Sequence, residues 1–296
     1  MFTLSPRTLA STMTVAGLVL MTAANPALAE NRRSLPLKAL VMDGVHVAEN
    51  GDIYTAEGFS GDRLFIITPE GNTFFITDAL EGPIDATTDS LGNVFVTNFN
   101  SASVSKVSPA GEVTHFADTL PFPAGITIDD QDNLYVSQFG ESDPQTGLGQ
   151  GTAVQKITPD GVVSTFSEGG ALLAPVGITL GDDGILYTAN FHDGTIIAID
   201  QEGQQTVITQ VERPGFFATI GHLEFVNGLL YATGVQGAEL LRVNPSTGQT
   251  VSRDLSRDIE FPNGVGFDQA SGTLLISEAF VQLSRLLKVR VANPAD

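Results

Sequence analysis

Residues 123–139 read PAGITIDDQDNLYVSQF, and residues 154–166 read VQKITPDGVVSTF. Both segments contain runs in which apolar and polar residues alternate, the period of two that is typical of half-buried strands. Turn-forming residues separate the runs, with DQDN at 130–133 and PDG at 159–161. The stretch therefore predicts a unit of four short antiparallel strands.

This unit occurs six times between residues 41 and 291. An aromatic or aliphatic residue marks the second strand of each copy, and successive markers lie 41, 40, 52, 44 and 44 residues apart. The markers are Tyr54, Phe95, Tyr135, Tyr187, Tyr231 and Leu275. Four strands at this period are typical of β-propeller blades. We therefore predict an all-β fold, a six-bladed β-propeller with four antiparallel strands per blade and a polar insertion at residues 140–152.

The sixth copy of the repeat supplies three strands instead of four. We expect an N-terminal strand, within residues 35–40, to take the fourth place in the last blade and so to close the ring. Pro36 is compatible with this role, because an outermost strand forms ladder hydrogen bonds on one side only.

Residues 1–29 have the pattern of a secretion signal. Arg7 precedes an apolar stretch at residues 14–24, and a small-x-small cleavage pattern ends at Ala29. The apolar stretch is shorter than the roughly 20 residues that a membrane-spanning helix needs. We therefore expect a removed signal peptide, a secreted or periplasmic location, and a single propeller domain at residues 30–296.

The charge of the chain limits its partners. It has 34 Asp and Glu against 14 Lys and Arg, a net charge of −20 with neutral His. Such an acidic protein is poorly suited to nucleic acid or to anionic membrane surfaces, so we expect neither nucleic-acid binding nor membrane insertion. The chain has no Cys and therefore no disulfides. We expect a monomer whose partner is a small-molecule substrate or a protein or glycan ligand.

Strand direction brings two sets of positions to one mouth of the central channel, because the first strand of each blade starts there and the second ends there. Oxygen-bearing side chains at these positions concentrate in blades one and six, which ring closure makes neighbours. They are Asp43, Glu57, Asn263 and Glu278, and Glu81 extends the group into blade two. Carboxylate and amide oxygens are the ligands of hard cations, so the pattern predicts a divalent cation, calcium. The alternative is that these side chains cap strand ends.

The Pro-x-Gly or Pro-x-Asp openings, the Asn-apolar-Tyr/Phe-Val runs and the Pro-x-Gly turns of residues 82–116 and 123–166 resemble those of NHL-repeat propellers. More broadly, they resemble the six-bladed senescence-marker-protein/gluconolactonase family. The family's metal ligands include an Asn before Gly in one blade and an Asp before Gly in the next, and Asn263 and Asp43 match that order. Glu81 lies in a similar Glu-Gly-Pro motif, although the family order would place this Glu at Leu173. The resemblance implies a metal-dependent lactonase.

Phenylalanines follow the ends of the second strands by one or two residues. They are Phe59, Phe99, Phe139, Phe191 and Phe280, and residues 213–217 (RPGFF) lie on the same face. Either they pack between blades, or some of them line an apolar pocket suited to an uncharged or cationic organic substrate. His222 and His192 map to this face and are candidates for a general base. His46 can line the channel, and His115 is expected to be structural.

These observations favour an exported enzyme. We expect metal-assisted hydrolysis of a lactone or ester-like small molecule, in which the metal polarises the carbonyl and a His or carboxylate activates water. One alternative is a non-catalytic propeller that presents this face, or the insertion at residues 140–152, to a protein or glycan. Another is a propeller lyase.

Overall fold

The computed structural model describes residues 42–211, 220–279 and 286–291. The regular structure of these segments consists of β-strands. None of the described segments forms a helix with the length and apolar character that a membrane crossing requires. The strands are β1 (Val45–Val47), β2 (Ile53–Ala56), β3 (Leu64–Ile67), β4 (Thr73–Thr77), β5 (Pro83–Thr88), β6 (Val94–Asn98), β7 (Ser103–Val107), β8 (Val113–Asp118), β9 (Pro123–Ile128), β10 (Leu134–Gln138), β11 (Ala153–Ile157), β12 (Val163–Glu168), β13 (Pro175–Leu180), β14 (Leu186–Asn190), β15 (Thr195–Ile199), β16 (Gln205–Gln210), β17 (Ile220–Val226), β18 (Leu229–Gly234), β19 (Glu239–Val243), β20 (Thr250–Asp254), β21 (Pro262–Asp268), β22 (Thr273–Glu278) and β23 (Leu286–Arg290).

The strands form six antiparallel sheets in chain order, and each sheet is one blade. Blades one to five have four strands each, and blade six contains β21, β22 and β23. The prediction of an all-β, six-bladed propeller is therefore confirmed. The predicted closing strand at residues 35–40 and the predicted signal peptide lie outside the described residues.

The inner strands close into a ring. The strands β1, β5, β9, β13, β17 and β21 each contact the next, and β21 contacts β1. At the last junction, the Ser277 hydroxyl of blade six donates a hydrogen bond to the backbone oxygen of Asp43 in blade one, at 2.5 Å. Hydroxyls at the equivalent position of β6, β10 and β18 join other neighbouring blades in the same way. The inner ring is thus joined from blade six to blade one by the described residues alone.

The core lies between the blades. The aromatic marker of each of the first five repeats is buried, and it packs in a cluster of aliphatic side chains. Tyr54 of blade one, for example, packs with Ala86 and Val94 of blade two. Fully burying one large apolar side chain contributes about 1.5–3 kcal/mol, so the repeated marker explains why the blades hold together without disulfides.

A glycine at the start of the inner strand in four of the six blades sets how closely neighbouring blades approach. The strands of blades one, three, four and six carry this glycine, at Gly44, Gly125, Gly177 and Gly264. A Cβ atom on Gly125 or Gly264 would clash with a backbone oxygen of the next blade. Blades two and five instead carry Asp85 and His222 at this position, and these two side chains form the centre of the candidate site.

Candidate functional site

A pocket of about 280 Å³ opens at the predicted mouth of the channel. Its lining residues are Asp43, Phe59, Ile84, Phe99, Ala124, Phe139, Val176, Phe191 and Asn263. The blade-opening positions of blades two to four supply its aliphatic side chains. Asp43 and Asn263, from blades one and six, supply its polar groups. The pocket is therefore apolar on one side and polar on the other.

The phenylalanines form an arc around this pocket. Ring centroids lie 6.4 Å apart between Phe59 and Phe99, 5.7 Å between Phe99 and Phe139, and 6.1 Å between Phe139 and Phe191. The last three rings are half-buried and pack against Ile84, Ala124 and Val176. Phe59 is 51% exposed. The sequence left open whether these phenylalanines pack between blades or line an apolar pocket. In the structure, these four line the pocket. Phe280 and residues 213–217 lie outside the described residues.

The polar side of the pocket is built on Asp43. The Asn263 amide Nδ2 donates a hydrogen bond to Asp43 Oδ1. The Asp43 side chain is only 12% exposed. Burial raises the pKa of this carboxyl, against the lowering effect of His222 and Asn263. Asp43 is therefore a stronger base than an exposed aspartate when it is ionised.

His222 lies directly behind Asp43. Its Nε2 is 3.6 Å from Asp43 Oδ1, and its Nδ1 is 3.3 Å from Asp85 Oδ2. The Nε2 atom is buried and has no hydrogen-bond partner within the usual distance. Burial alone would lower the pKa of His222, but the two flanking carboxylates outweigh it and raise this pKa to about 10. At neutral pH His222 is therefore an imidazolium between two aspartates.

Asp85 holds His222 from the opposite blade. The Asp85 carboxylate accepts hydrogen bonds from the backbone N–H groups of Ala86 (3.0 Å) and Ile126 (3.2 Å), which fix its position. Asp85 is not among the site residues predicted from the sequence. A signal was present, because Asp85 replaces the inner-strand glycine of four other repeats, as His222 does.

A second cavity of about 330 Å³ lies along the channel behind the Asp85–His222 pair. Both of these residues line it, together with His46 and Glu224. Burial, helped by the charge of Asp85, raises the pKa of Glu224 to about 8. Burial also lowers the pKa of His46 to about 4, and the His46 Nε2 lies 2.8 Å from the Thr88 hydroxyl. At neutral pH this cavity therefore contains a neutral histidine and a largely protonated glutamate.

The other three predicted metal ligands do not line the mouth pocket. Glu57 forms an ion pair and hydrogen bonds with Arg63, six residues further along the chain. Glu278 Oε1 accepts the backbone N–H of Glu260 at 2.8 Å. Glu81 lines a different pocket, on blade two. Of the five predicted ligands, the structure brings Asp43 and Asn263 together in the mouth pocket.

The described residues do not fit a divalent cation at this mouth. They contain no group of three or more His, Cys, Asp or Glu side chains that could hold a metal ion. Calcium takes six to eight oxygen ligands, whereas Asp43 and Asn263 are the pocket's polar lining residues and an imidazolium lies beside Asp43. Calcium binding thus stays a prediction from the sequence, and no step proposed below uses it.

His192 forms a hydrogen bond with the insertion and does not line the mouth pocket. Its Nε2 accepts the backbone N–H of Gly149 at 2.9 Å, within the insertion at residues 140–152. Its ring contacts Phe139 and Phe191, with centroids 5.5 and 5.2 Å away. Burial lowers the pKa of His192, so the ring is neutral and suited to accepting this bond. The structure therefore places this predicted base beside the pocket, with one nitrogen already engaged.

Comparison with known proteins supports the fold. No protein family description and no curated protein matches the chain. Among solved structures, it is similar to virginiamycin B lyase from Staphylococcus aureus, with 19% identity, TM-score 0.61, and 84% of this chain and 80% of that chain covered. It is similar to a gluconolactonase from Xanthomonas campestris, with 16% identity, TM-score 0.66, and coverage of 90% and 93%. It is also similar to a chain of a nidogen/laminin complex, with 16% identity, TM-score 0.64, and coverage of 77% and 85%. A lyase, a lactonase and a binding complex share this architecture, so the likeness shows the propeller fold alone.

Proposed function

We propose that the protein is an exported hydrolase that cleaves a lactone or ester-like bond in an apolar small molecule, with Asp43 as the general base. The observation that carries the proposal is the composition of the mouth pocket. Asp43 and Asn263 form the polar side of a pocket whose other lining side chains are apolar. Export rests on the signal-like pattern of residues 1–29, and the resemblance to gluconolactonases supports the reaction class.

The proposed reaction begins with a water molecule held by the Asp43 carboxylate. Its oxygen attacks the carbonyl carbon of the substrate while Asp43 accepts the proton. The carbon–oxygen bond of the lactone or ester then breaks, and Asp43 returns the proton to the leaving oxygen. The raised pKa of Asp43 supports both steps, because a less acidic carboxyl accepts a proton and holds it for the leaving oxygen more readily.

His222 has a different role in this proposal from the one expected from the sequence. With a pKa of about 10, the ring is already protonated at neutral pH and is a poor proton acceptor. Its charge instead favours the ionised form of Asp43, which must be a carboxylate to act as a base. Asn263 orients the same carboxylate through its hydrogen bond to Oδ1. Asp43 Oδ2 is then left for water.

A substrate panel tests the proposal. Purified protein would be incubated with apolar γ- and δ-lactones and with aryl esters of increasing acyl length, each in a neutral form and in a form that carries an ammonium group, and product acids would be quantified by liquid chromatography and mass spectrometry. We expect turnover that increases with apolar character up to the size that the pocket admits. Absence of turnover across the panel would overturn the hydrolase and favour a binding propeller.

A lyase is the second candidate, supported by the structural similarity to virginiamycin B lyase. In that case Asp43 would take a proton from carbon instead of from water, and the leaving oxygen would depart by elimination. Reaction in H₂¹⁸O separates the two chemistries. Hydrolysis incorporates ¹⁸O from water into the product acid, whereas elimination gives a carbon–carbon double bond without it.

A further inference from the structure

We propose that the mouth pocket selects substrates that carry a positively charged amine or ammonium group on an apolar body. This inference deepens the proposed function by naming the substrate class. It stands on the geometry of the phenylalanine arc and on the charges around the pocket. Binding can be measured without turnover, so the two proposals can fail separately.

The phenylalanine arc provides several aromatic rings for one cation. An aromatic face attracts a cation placed within about 6 Å of the ring centroid. The centroids of Phe59, Phe99, Phe139 and Phe191 follow one another at 5.7–6.4 Å. A small ammonium group placed above two neighbouring rings, on the pocket side, therefore lies within reach of both. The aliphatic side chains that line the same pocket are available for the apolar body of the ligand.

The charges at the pocket favour a cation as well. Asp43 lines the pocket, and together with Asp85 behind it provides two carboxylates against the single imidazolium of His222. No Lys or Arg is among the described residues that line the pocket. Arg63, on the same face, is paired with Glu57 and lies 4.0 Å from Asp62. The net charge of −20 attracts cations over a longer range and repels anionic substrates.

A matched pair of probes tests this inference directly. Choline and 3,3-dimethylbutan-1-ol have nearly the same shape, but only choline is charged. Their affinities would be measured by isothermal titration calorimetry at fixed ionic strength. We expect choline to bind about tenfold more tightly, as a cation held by aromatic rings and a carboxylate should.

Three variants locate the binding. Asp43→Asn should remove most of the preference for choline while the neutral alcohol binds as before. Phe59→Leu should weaken choline binding more than binding of the alcohol, and its 51% exposure makes misfolding of this variant a small risk. Phe116→Leu is the matched control, because Phe116 packs on Phe95 between blades, with centroids 4.7 Å apart, and does not line the pocket. It should bind both probes like the wild type.

Equal affinity for the two probes, or no binding of choline, would overturn the inference and leave the hydrolase proposal standing. A choline preference that survives in both Asp43→Asn and Phe59→Leu would place the cation elsewhere on the acidic surface and would also overturn it. Melting temperatures of all variants would be measured in parallel. If Asp43→Asn does not fold, the comparison of Phe59→Leu with Phe116→Leu decides.

Discussion

Asp85 and His222 belong to opposite blades of the ring, and their side chains meet in the channel with 3.3 Å between Oδ2 and Nδ1. Four inner-strand glycines surround this pair at the same position of the repeat. The pair lies between the mouth pocket, which Asp43 lines, and the cavity that contains His46 and Glu224. The contact between Asp85 and His222 therefore supports the Asp43 carboxylate from the side that faces away from the mouth.

Removal of the Asp85 charge should destabilise the protein. We expect Asp85→Asn to lower the free energy of unfolding by about 3 kcal/mol, because it breaks the shorter of the two buried ion pairs of His222 and leaves Asp43 as the one flanking carboxylate. Urea denaturation monitored by circular dichroism measures this. Asp118→Asn is the matched control, since Asp118 also pairs with a histidine, His115 at 3.3 Å, but is 90% exposed. Equal effects of the two substitutions would contradict the buried pair.

Stability should fall as pH rises above about 6.5, where the lowered pKa of His46 no longer acts in the opposite direction. The pKa of an unfolded histidine is about 6.5, so the stabilisation from the His222 charge is complete below about pH 6.5 and is lost as pH rises through about 10. Glu224 acts in the same direction. Its folded pKa of about 8 lies above its ordinary value, so its ionisation opposes folding between about pH 4.5 and 8.

Urea midpoints at pH 5, 7, 8.5 and 10 check this expectation. In Glu224→Gln, the decrease in the urea midpoint below pH 8 should become smaller. The decrease above pH 8, which comes from His222, should remain. Stability that rises between pH 7 and 10 would show that His222 is not charged in the folded protein.

Ring closure should depend on Ser277. We expect Ser277→Ala to cost about 1–2 kcal/mol, because it removes the hydrogen bond to the Asp43 backbone oxygen and leaves that buried oxygen without this donor. Ser137→Ala removes the equivalent bond to Val176, at the junction of blades three and four, and should cost a similar amount. Differential scanning calorimetry of both variants measures the comparison. A neutral Ser277→Ala beside a costly Ser137→Ala would mean that blades six and one are not joined in solution.

Calcium should have little effect at the mouth. Asp43 and Asn263 are too few oxygen ligands for calcium, so we expect the same calcium-induced shift in melting temperature for the wild type and for Asn263→Ala. Thermal melts in calcium and in a chelator measure the shift. A shift that is several degrees larger in the wild type would support the calcium site predicted from the sequence. It would also add a cation to the proposed mechanism.

Much of the fold could be predicted from the sequence, because each repeat encodes its own blade. The run of Leu134, Tyr135 and Val136 is apolar, and all three side chains are buried, as in a strand that is covered on both faces. The direction of the strands also brought Asp43 and Asn263 to one mouth, where the structure has them. Repetition therefore carries reliable information about backbone and burial.

The candidate site was harder to predict, because its contacts depend on side-chain direction and on partners far apart in the chain. Glu57 lies at a repeat position from which the sequence predicted a metal ligand, but its carboxylate forms an ion pair with Arg63. Asp85 and His222 are 137 residues apart, and their contact follows from the number of blades, which places blade two opposite blade five. A departure from the repeated glycine is the sequence signal that would have added Asp85 to His222, which was already a candidate.

The central claim is that Asp43 is the base of a reaction at the mouth pocket. The most direct measurement is kcat of Asp43→Asn with the best substrate from the panel, at pH 7.5 and with the melting temperature of the variant recorded. We expect a loss of about 10²–10⁴-fold, the usual contribution of a general base, in a variant that remains folded. A folded Asp43→Asn protein that turns over substrate at the wild-type rate would contradict it.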